Sequence, residues 1–186
     1  IIKYIEPADI NEAAMGLNIA FEEERCAAAV ASRDTGEAVI TGRVTLMQDS
    51  RKGAGFLLML PVYKAGMPVN TLEERRTAHE GWVYAPFIAR NFMQGLTLNQ
   101  GEDFNLAAYD GAEEKIGGLL YTTGSPTHRP AFTVRKKVNV KQREWTLVWT
   151  STKEFERRHE GKEAFIILVS GLLFTGLLFT GLLGAI

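Results

Sequence analysis

The last 23 residues, Ala164 to Ile186, carry no charged side chain. As an α-helix this segment would be about 34 Å long, and the hydrocarbon core of a bilayer is about 30 Å thick. Its polar side chains are Ser170, Thr175 and Thr180, whose hydroxyl groups can hydrogen-bond to the backbone of their own helix. The segment is therefore predicted to be a transmembrane helix.

The place of this span near the C-terminus excludes a signal peptide. Two alternatives stay open, a tail anchor or a span within a longer protein. The absence of an initial methionine and the start inside a predicted strand, IIKYIEP, favour the longer protein. The flank before the span carries Lys153, Arg157, Arg158 and Lys162, which taken alone favours a cytoplasmic location for that flank.

Composition narrows the classes of function. Of the 186 residues, 46% are apolar and 23% are charged, which is enough for one or two small globular units. The formal net charge of -1 provides no basic excess for a nucleic-acid partner. The single cysteine, Cys26, can close no disulfide within the chain and is expected to be a small core residue of a helix.

The N-terminal residues predict two helices between strands. IIKYIEP is typical of a short strand, and Asp9 with Glu12 indicates a capping box that opens a helix. This helix is expected to stop at Gly16. A second helix is predicted from Phe21 to Arg33, with a break at Gly36 and a strand after the break.

The middle of the chain predicts a central strand followed by a long helix. GFLLMLPVYKAG, residues 55–66, is nearly continuous in apolar residues, as expected for the centre of a sheet. Thr71 is the expected cap of a helix that runs to about Leu96, with a break near Gly81 and Pro86.

Further strands are predicted between residue 100 and the predicted transmembrane helix. They are predicted in FNLAAYD, KIGGLLYTTG, AFTVRKKVNV and REWTLVWTS, where Trp145, Leu147 and Trp149 alternate as in a half-buried strand. Two groups of strands, at roughly 1–85 and 100–152, joined by a helix predict an α+β fold with two small lobes.

The sequence shows no constellation of catalytic or cofactor-binding residues. His79, His128 and His159 have no second His or Cys at a metal-ligand spacing and are expected to be solvated or core residues. Gly53 to Gly55 precedes a strand, whereas a dinucleotide loop joins a strand to a helix. We therefore expect no enzyme activity, no metal and no cofactor. The run Glu22 to Glu24 is either a site for an amino-bearing ligand or a charged first helical turn.

Four segments between residues 12 and 87 resemble the CHASE domain, the extracellular sensory module of cyclases and histidine kinases, which includes plant cytokinin receptors. They follow the family's order and approximate spacing, and the combination of PVYK with EERR and GWVYAPF is specific. The residues after 100 show a looser resemblance to the membrane-proximal half of the family's domain. The four segments are GLNIAFEEER (16–25), DTGEAVIT (34–41), GFLLMLPVYKAG (55–66) and TLEERRTAHEGWVYAPF (71–87).

This resemblance implies two PAS-like lobes outside the membrane, built of antiparallel sheets with helices and followed by a C-terminal transmembrane helix. Residues 1–95 would form the membrane-distal lobe and 96–152 the membrane-proximal lobe. A juxtamembrane helix at 153–163 would lead into the span at 164–186. The implied location is the inner (cell) membrane, with residues 1–163 periplasmic or extracellular.

The resemblance also implies a ligand site in the distal lobe. In the plant receptors this lobe binds an adenine-type hormone, and the matching positions here are Glu24, Thr41, Met47, Met59 and Ala85. Met59 stands where the plant pattern has a threonine hydroxyl, and Ala85 stands where it has glycine. A small, partly apolar molecule with a donor group therefore fits this lining better than cytokinin.

The implied function is a ligand-binding sensory domain that signals through the membrane helix to a cytoplasmic histidine kinase, as in a two-component system, or to a diguanylate cyclase. A homodimer is expected, because the signal would be a relative movement of two membrane helices. The alternative is a dimerisation or protein-interaction module without a small-molecule ligand.

Overall fold

The computed structural model describes residues 1–9, 11–46, 51–97, 102–126 and 128–159. Within these ranges the chain is a mixed α/β fold with two four-stranded antiparallel sheets and four α-helices. The strands are β1 (Val39–Ile40), β2 (Val44–Thr45), β3 (Ala54–Tyr63), β4 (His79–Ile88), β5 (Phe104–Asp110), β6 (Leu119–Thr122), β7 (Thr133–Val140) and β8 (Arg143–Ser151). The helices are α1 (Glu23–Thr35), α2 (Leu72–Ala78), α3 (Ala89–Thr97) and α4 (Lys153–His159).

The first sheet is organised around β3, as its continuous apolar run predicts. Strand β4 pairs with one edge of β3 along almost its whole length, while β1 and β2 share the other edge at different heights. The predicted strand after Gly36 is therefore present as two short pieces, β1 and β2, with a turn between them.

Helix α1 confirms the predicted second helix, with both ends shifted by two residues. Gly36 terminates it in the left-handed conformation, with φ of 80°, and its amide donates to the carbonyl of Ser32 at 2.9 Å. Glycine is the usual residue at this position because it has no Cβ to strain the left-handed backbone. Cys26 lies on this helix as a free, half-buried thiol.

One face of the first sheet is covered by α1. Ala28 and Ala29 of the helix pack against Leu57 and Met59 of β3, and Met59 is fully buried with an exposed fraction of 0%. The indole Nε1 of Trp82, on β4, donates to the carbonyl of Ala29 at 2.9 Å. The helix is thus fixed to both long strands of the sheet.

The opposite face of the first sheet packs against the second sheet. Phe56 of β3 lies 5.2 Å from Trp145 of β8 between ring centroids, in an edge-to-face arrangement, and Phe92 of α3 contacts both rings. We call this group the shared core. Its buried members come from both halves of the chain: Ile40, Phe56, Ala89, Met93, Leu106, Ala108, Leu120 and Trp145.

The second sheet has the strand order β6-β5-β8-β7. All four strands coincide with the apolar segments that the sequence predicts after residue 100. Trp145, Leu147 and Trp149 lie against the shared core as predicted, but Thr146 and Val148 between them are buried as well, so this strand is buried on both faces and not half-buried. Central strand β8 is bonded along its full length to β5 on one side and β7 on the other.

The strand predicted for IIKYIEP and the helix predicted from Asp9 to Gly16 are wrong. Residues 1–5 form no strand, and the backbone of Ile2 bonds instead to Gly16 and Leu17. Glu12–Ala14 is a single 3-10 turn preceded by Asn11, which makes no side-chain cap. Tyr4 is exposed, so the segment lacks the buried alternating face that would hold it in a sheet.

The long helix predicted from Thr71 to Leu96 is interrupted by a strand. Thr71 caps α2 as expected, in a capping box with Glu74, but the helix ends at Ala78 and β4 follows. Aromatic and β-branched residues in β4 suit a pleated, half-buried surface. Pro86 is tolerated there because β4 is an edge strand, where a missing amide proton interrupts no ladder.

In the part of the chain that the structure describes, no helix combines the length and apolarity needed to cross a bilayer. The span predicted at 164–186 lies outside the described residues and stays a prediction.

Substitution Trp145→Ala should lower the free energy of unfolding by about 3–5 kcal/mol, because it removes a large buried ring from the shared core. Since that core joins both sheets, denaturant should unfold them in one transition, followed by tryptophan fluorescence and by hydrogen exchange in β3 and β5. Val134→Ala, at an exposed position of β7, is the control and should change stability by under about 0.5 kcal/mol. Loss of protection in β5 alone would contradict a common core.

Candidate functional site

Thr41, predicted to line a ligand pocket, lies buried at the end of β1. Its hydroxyl donates to the carbonyl of Gly42 at 2.8 Å and accepts from the amide of Leu57 at 3.0 Å. The hydroxyl therefore ties the turn after β1 to the central strand. A ligand would have to exchange one of these bonds to use it.

Met59 and Ala85 do not lie on the same face of the first sheet. Met59 is buried under α1, opposite Tyr84, and burial raises the pKa of that tyrosine. Ala85 pairs with Leu58 and is exposed on the other face, since successive strand residues alternate. Met47, the remaining apolar residue predicted for the pocket, lies outside the described residues.

Glu24, the predicted acid, is engaged in an ion pair between the two halves of the chain. Its Oε2 lies 3.0 Å from Nη1 of Arg143, at the start of β8. Both side chains are partly exposed, with exposed fractions of 44% for Glu24 and 32% for Arg143. The acid at the start of α1 is therefore within reach of solvent and of a competing cation.

Arg143 is held more firmly by a second carboxylate. Its Nε and Nη2 donate to the two oxygens of Asp110 at 2.6 and 2.8 Å, and the Asp110 side chain is only 7% exposed. This hydrogen bonding to Asp110, with a smaller contribution from Glu24, raises the pKa of Arg143. A bidentate pair of this kind has a fixed geometry, which orients the guanidinium toward Glu24.

The turn between β1 and β2 closes this arrangement. The amide of Arg43 donates to Asp110 at 2.8 Å. A Cβ atom at Gly42 would clash with the Glu24 carboxylate and the Arg143 guanidinium. The group of Glu24, Gly42, Arg43, Asp110 and Arg143, which we call the interlobe junction, thus depends on glycine at this turn.

A second cluster fixes α4 to the far end of the second sheet. The Glu156 carboxylate accepts from the amide of Ala131 at 2.8 Å and from the hydroxyl of Ser151, and it lies 3.1 Å from Nε2 of His128. These contacts, with the Ser151 hydrogen bond the largest, lower the pKa of Glu156 to about 2. Because an ionised carboxylate only accepts, His128 carries its proton on Nε2. We call these four residues the exit clamp.

Other contacts reinforce the exit clamp. The ring of Phe155 lies 4.6 Å from Phe104 between centroids and 4.2 Å from His159. Arg158 pairs with Asp103, and the Thr152 hydroxyl accepts from the amide of Phe155 at 3.3 Å. Helix α4, the described part of the predicted juxtamembrane helix, is therefore packed onto the sheet that precedes it.

The three histidines lie in different places. The ring of His79 lies tilted against Trp82 with a centroid distance of 4.1 Å, and burial lowers the pKa of His79. His128 belongs to the exit clamp, and His159 lies on Phe155. Among the described residues, no three His, Cys, Asp or Glu side chains form a group that could hold a metal ion.

Comparison with known proteins identifies the family of this chain. A family model described as CHASE domain matches residues 1–121, which is well over half of the chain. CHASE domains are sensory modules of receptors. The chain belongs to the CHASE domain family, which confirms the resemblance seen in its sequence. A search of the curated proteins finds no match.

The match covers the whole first sheet and ends within β6. Arg143 and the exit clamp lie beyond it. No sequence pattern singles out Arg143, Asp110 or Glu156, because their charged partners come from other segments of the chain. The helical pattern of STKEFERRHEGKE predicts α4 but gives no sign of its partners.

The lowered pKa of Glu156 predicts acid sensitivity at the exit clamp. Its ionised form stabilises the folded chain above its ordinary pKa of 4.5, and this contribution is lost as pH falls toward 2. The difference in free energy of unfolding between the native chain and Glu156→Gln should therefore shrink from pH 5 to pH 2, as measured by urea unfolding.

The difference between the native chain and E156Q removes the contribution of other groups that titrate in acid, because both chains carry them. Asp34 is one such group, since hydrogen bonds from Arg76 and then Arg33 lower its pKa. Glu154→Gln, an exposed change on the same helix, is the matched control. A difference between native chain and E156Q that stays constant across this range would contradict the assignment.

Proposed function

We propose that this chain is the extracytoplasmic, ligand-binding sensory domain of a membrane receptor. A small molecule binds in the distal lobe, residues 1–95, and the signal passes through the span at 164–186 to a cytoplasmic histidine kinase or diguanylate cyclase. The chain itself supplies no catalysis in this proposal.

The observation that carries the proposal is the position of β8. At its start Arg143 pairs with Glu24 of α1, and at its end Ser151 binds Glu156 of α4. Nine residues of strand span about 30 Å at roughly 3.3 Å per residue. One rigid element therefore links the acid expected to meet a ligand with the helix that leads toward the predicted membrane span.

The expected ligand has a hydrogen-bond donor or cationic group for Glu24 and an apolar part. Thr41, Met47 and Met59 are the other proposed contacts, whereas Ala85 lies on the opposite face of the sheet from Met59 and is not among them. Because Thr41 and Met59 are covered by packed structure, the ligand must shift α1 from β3 to reach them. Contacts made in only one of two arrangements are what allow a ligand to shift their balance.

Competition at Glu24 provides such a difference. A donor group that binds Glu24 removes one of the two carboxylates of Arg143, while the bidentate bond to Asp110 keeps the guanidinium satisfied. Helix α1 thereby loses its ion pair with β8 without leaving a buried charge unpaired, while the shared core keeps the two sheets together. Movement of the 153–163 helices within a homodimer would carry this release into the membrane.

A specific observation also favours the alternative of a dimerisation or protein-interaction module. Leu60 and Val83 face each other across β3 and β4 with exposed fractions of 49% and 62%, next to the exposed Ala85. An apolar surface of this kind is typical of contacts between proteins. On this alternative the chain has an oligomeric contact there and no small-molecule ligand.

Screening the full chain, purified in a non-ionic detergent, against amine-bearing small molecules should yield compounds that raise its melting temperature. Their affinity should fall at least about tenfold in Glu24→Gln, because a hydrogen bond to a charged group is lost. Glu23→Gln, one residue away and exposed, is the matched control. A broad screen without any stabilising compound would favour the interaction alternative. Hits whose affinity is unchanged in E24Q would refute the assignment of the ligand to Glu24.

Topology is testable in cells that express the full chain with a C-terminal epitope. Protease added to spheroplasts should remove residues 1–159 and leave a membrane-embedded fragment detected through the epitope. A cytoplasmic marker protein that stays intact is the control for lysis. Full protection of residues 1–159 until the membrane is broken would refute an extracytoplasmic location.

A further inference from the structure

A cavity of about 890 Å³ lies between the two halves of the chain. Its walls are the residues around the start of β3, the first turns of α3 and strand β6. Its volume is within the range of small-molecule sites, roughly 300–1,000 Å³. Of the predicted ligand residues that the structure describes, none lines this cavity.

Three arginines from three segments converge on the cavity. Arg43 lies on the turn between β1 and β2, Arg51 precedes β3, and Arg90 is in the first turn of α3. No aspartate or glutamate is among the described residues that line it. Arg43 and Arg90 place two guanidinium cations at the wall of this cavity, in a chain whose net charge is close to zero.

The neighbouring acid does not neutralise this wall. Asp110 accepts the backbone amide of Arg43, but both of its carboxylate oxygens are bound by Arg143 outside the cavity lining. The Arg43 side chain is positioned separately, since its Nε donates to the carbonyl of Leu119 on the wall at 3.1 Å. The charge of Asp110 is therefore compensated by a fourth arginine.

We propose that this cavity is a binding site for an anionic small molecule carrying a carboxylate or phosphate group. Arginine suits both anions because its planar fork donates two parallel hydrogen bonds to their oxygens. The cavity is far larger than one such group, so the ligand also has an organic body. Ile88 and Leu120 provide apolar wall for that body, and Tyr121 and Thr123 carry hydroxyl groups.

This site is separate from the one in the proposed function and takes a ligand of opposite charge. The anion would contact α3 and the turn after β1 on one side and β6 on the other. It would therefore hold the two halves together, whereas a ligand at Glu24 would loosen them. Failure of the screen at Glu24 leaves this inference standing, and the reverse also holds.

The test uses the full chain in non-ionic detergent with sodium citrate and sodium phosphate as probes, each matched for ionic strength with sodium chloride. We expect citrate or phosphate to raise the melting temperature beyond the chloride reference. Isothermal titration should show at least about tenfold weaker binding for Arg90→Gln, since a charged hydrogen-bond donor is lost. Arg129→Gln, an exposed arginine outside the cavity, is the matched control and should bind like the native chain.

Preference for citrate identifies a carboxylate ligand, and preference for phosphate identifies a phosphorylated one. A melting temperature that follows ionic strength alone overturns the proposal, as does unchanged affinity in both R90Q and Arg43→Gln.

A second measurement needs no variant. Phenylglyoxal modification of the native chain, mapped by mass spectrometry, should be slowed by the bound probe at Arg43, Arg51 and Arg90 but not at Arg129. Equal rates at all four positions with and without probe would refute the site.

Discussion

The charged contact between α1 and β8 depends on the guanidinium of Arg143. One edge of this group, Nε and Nη2, binds Asp110 on the neighbouring strand, and Nη1 extends to Glu24 on the helix of the other half. The two bonds differ in burial, since Asp110 is almost inaccessible and Glu24 is open to solvent. Removing a buried partner is costly, whereas an exposed ion pair contributes little. Arg143 thus makes one buried contact with Asp110 that is costly to remove and one exposed contact with Glu24 that contributes little to stability.

Aromatic packing limits how the domain can respond to loss of the Glu24 contact. The rings of Phe56, Phe92 and Trp145 interlock across the two sheets, and close-packed interiors resist gradual deformation. The proposed signal is therefore expected to leave the two sheets in contact. Because β8 is held between β5 and β7 and ends at the exit clamp, a rotation of the second sheet moves α4 with it.

Local patterns were sufficient for much of the fold. Helix α1, the central position of β3, the Thr71 cap and the four strands after residue 100 follow from periodicity and capping residues. The prediction of a helix from Thr71 to about Leu96, with a break near Gly81 and Pro86, is wrong for residues 79–88. These residues form β4 by pairing with β3, a contact that periodicity does not reveal. Tertiary pairing overrides local propensity in such segments.

The candidate site was less accessible from sequence. Glu24 could be selected from a family resemblance, but Arg143 and Asp110 become its partners only through the packing of the second sheet. The same is true of Glu156, whose hydrogen-bond partners come from the loop before β7 and from the end of β8. The cationic cavity likewise depends on arginines that no spacing connects.

The interlobe junction is sensitive to any substitution of Gly42. The pairing of Glu24 with Arg143 passes over this residue at a distance that leaves no room for even a methyl group. Any larger residue at position 42 would push the Glu24 carboxylate away from the Arg143 guanidinium. Under the proposed function, Gly42→Ala would therefore have the same effect on this ion pair as a ligand bound at Glu24.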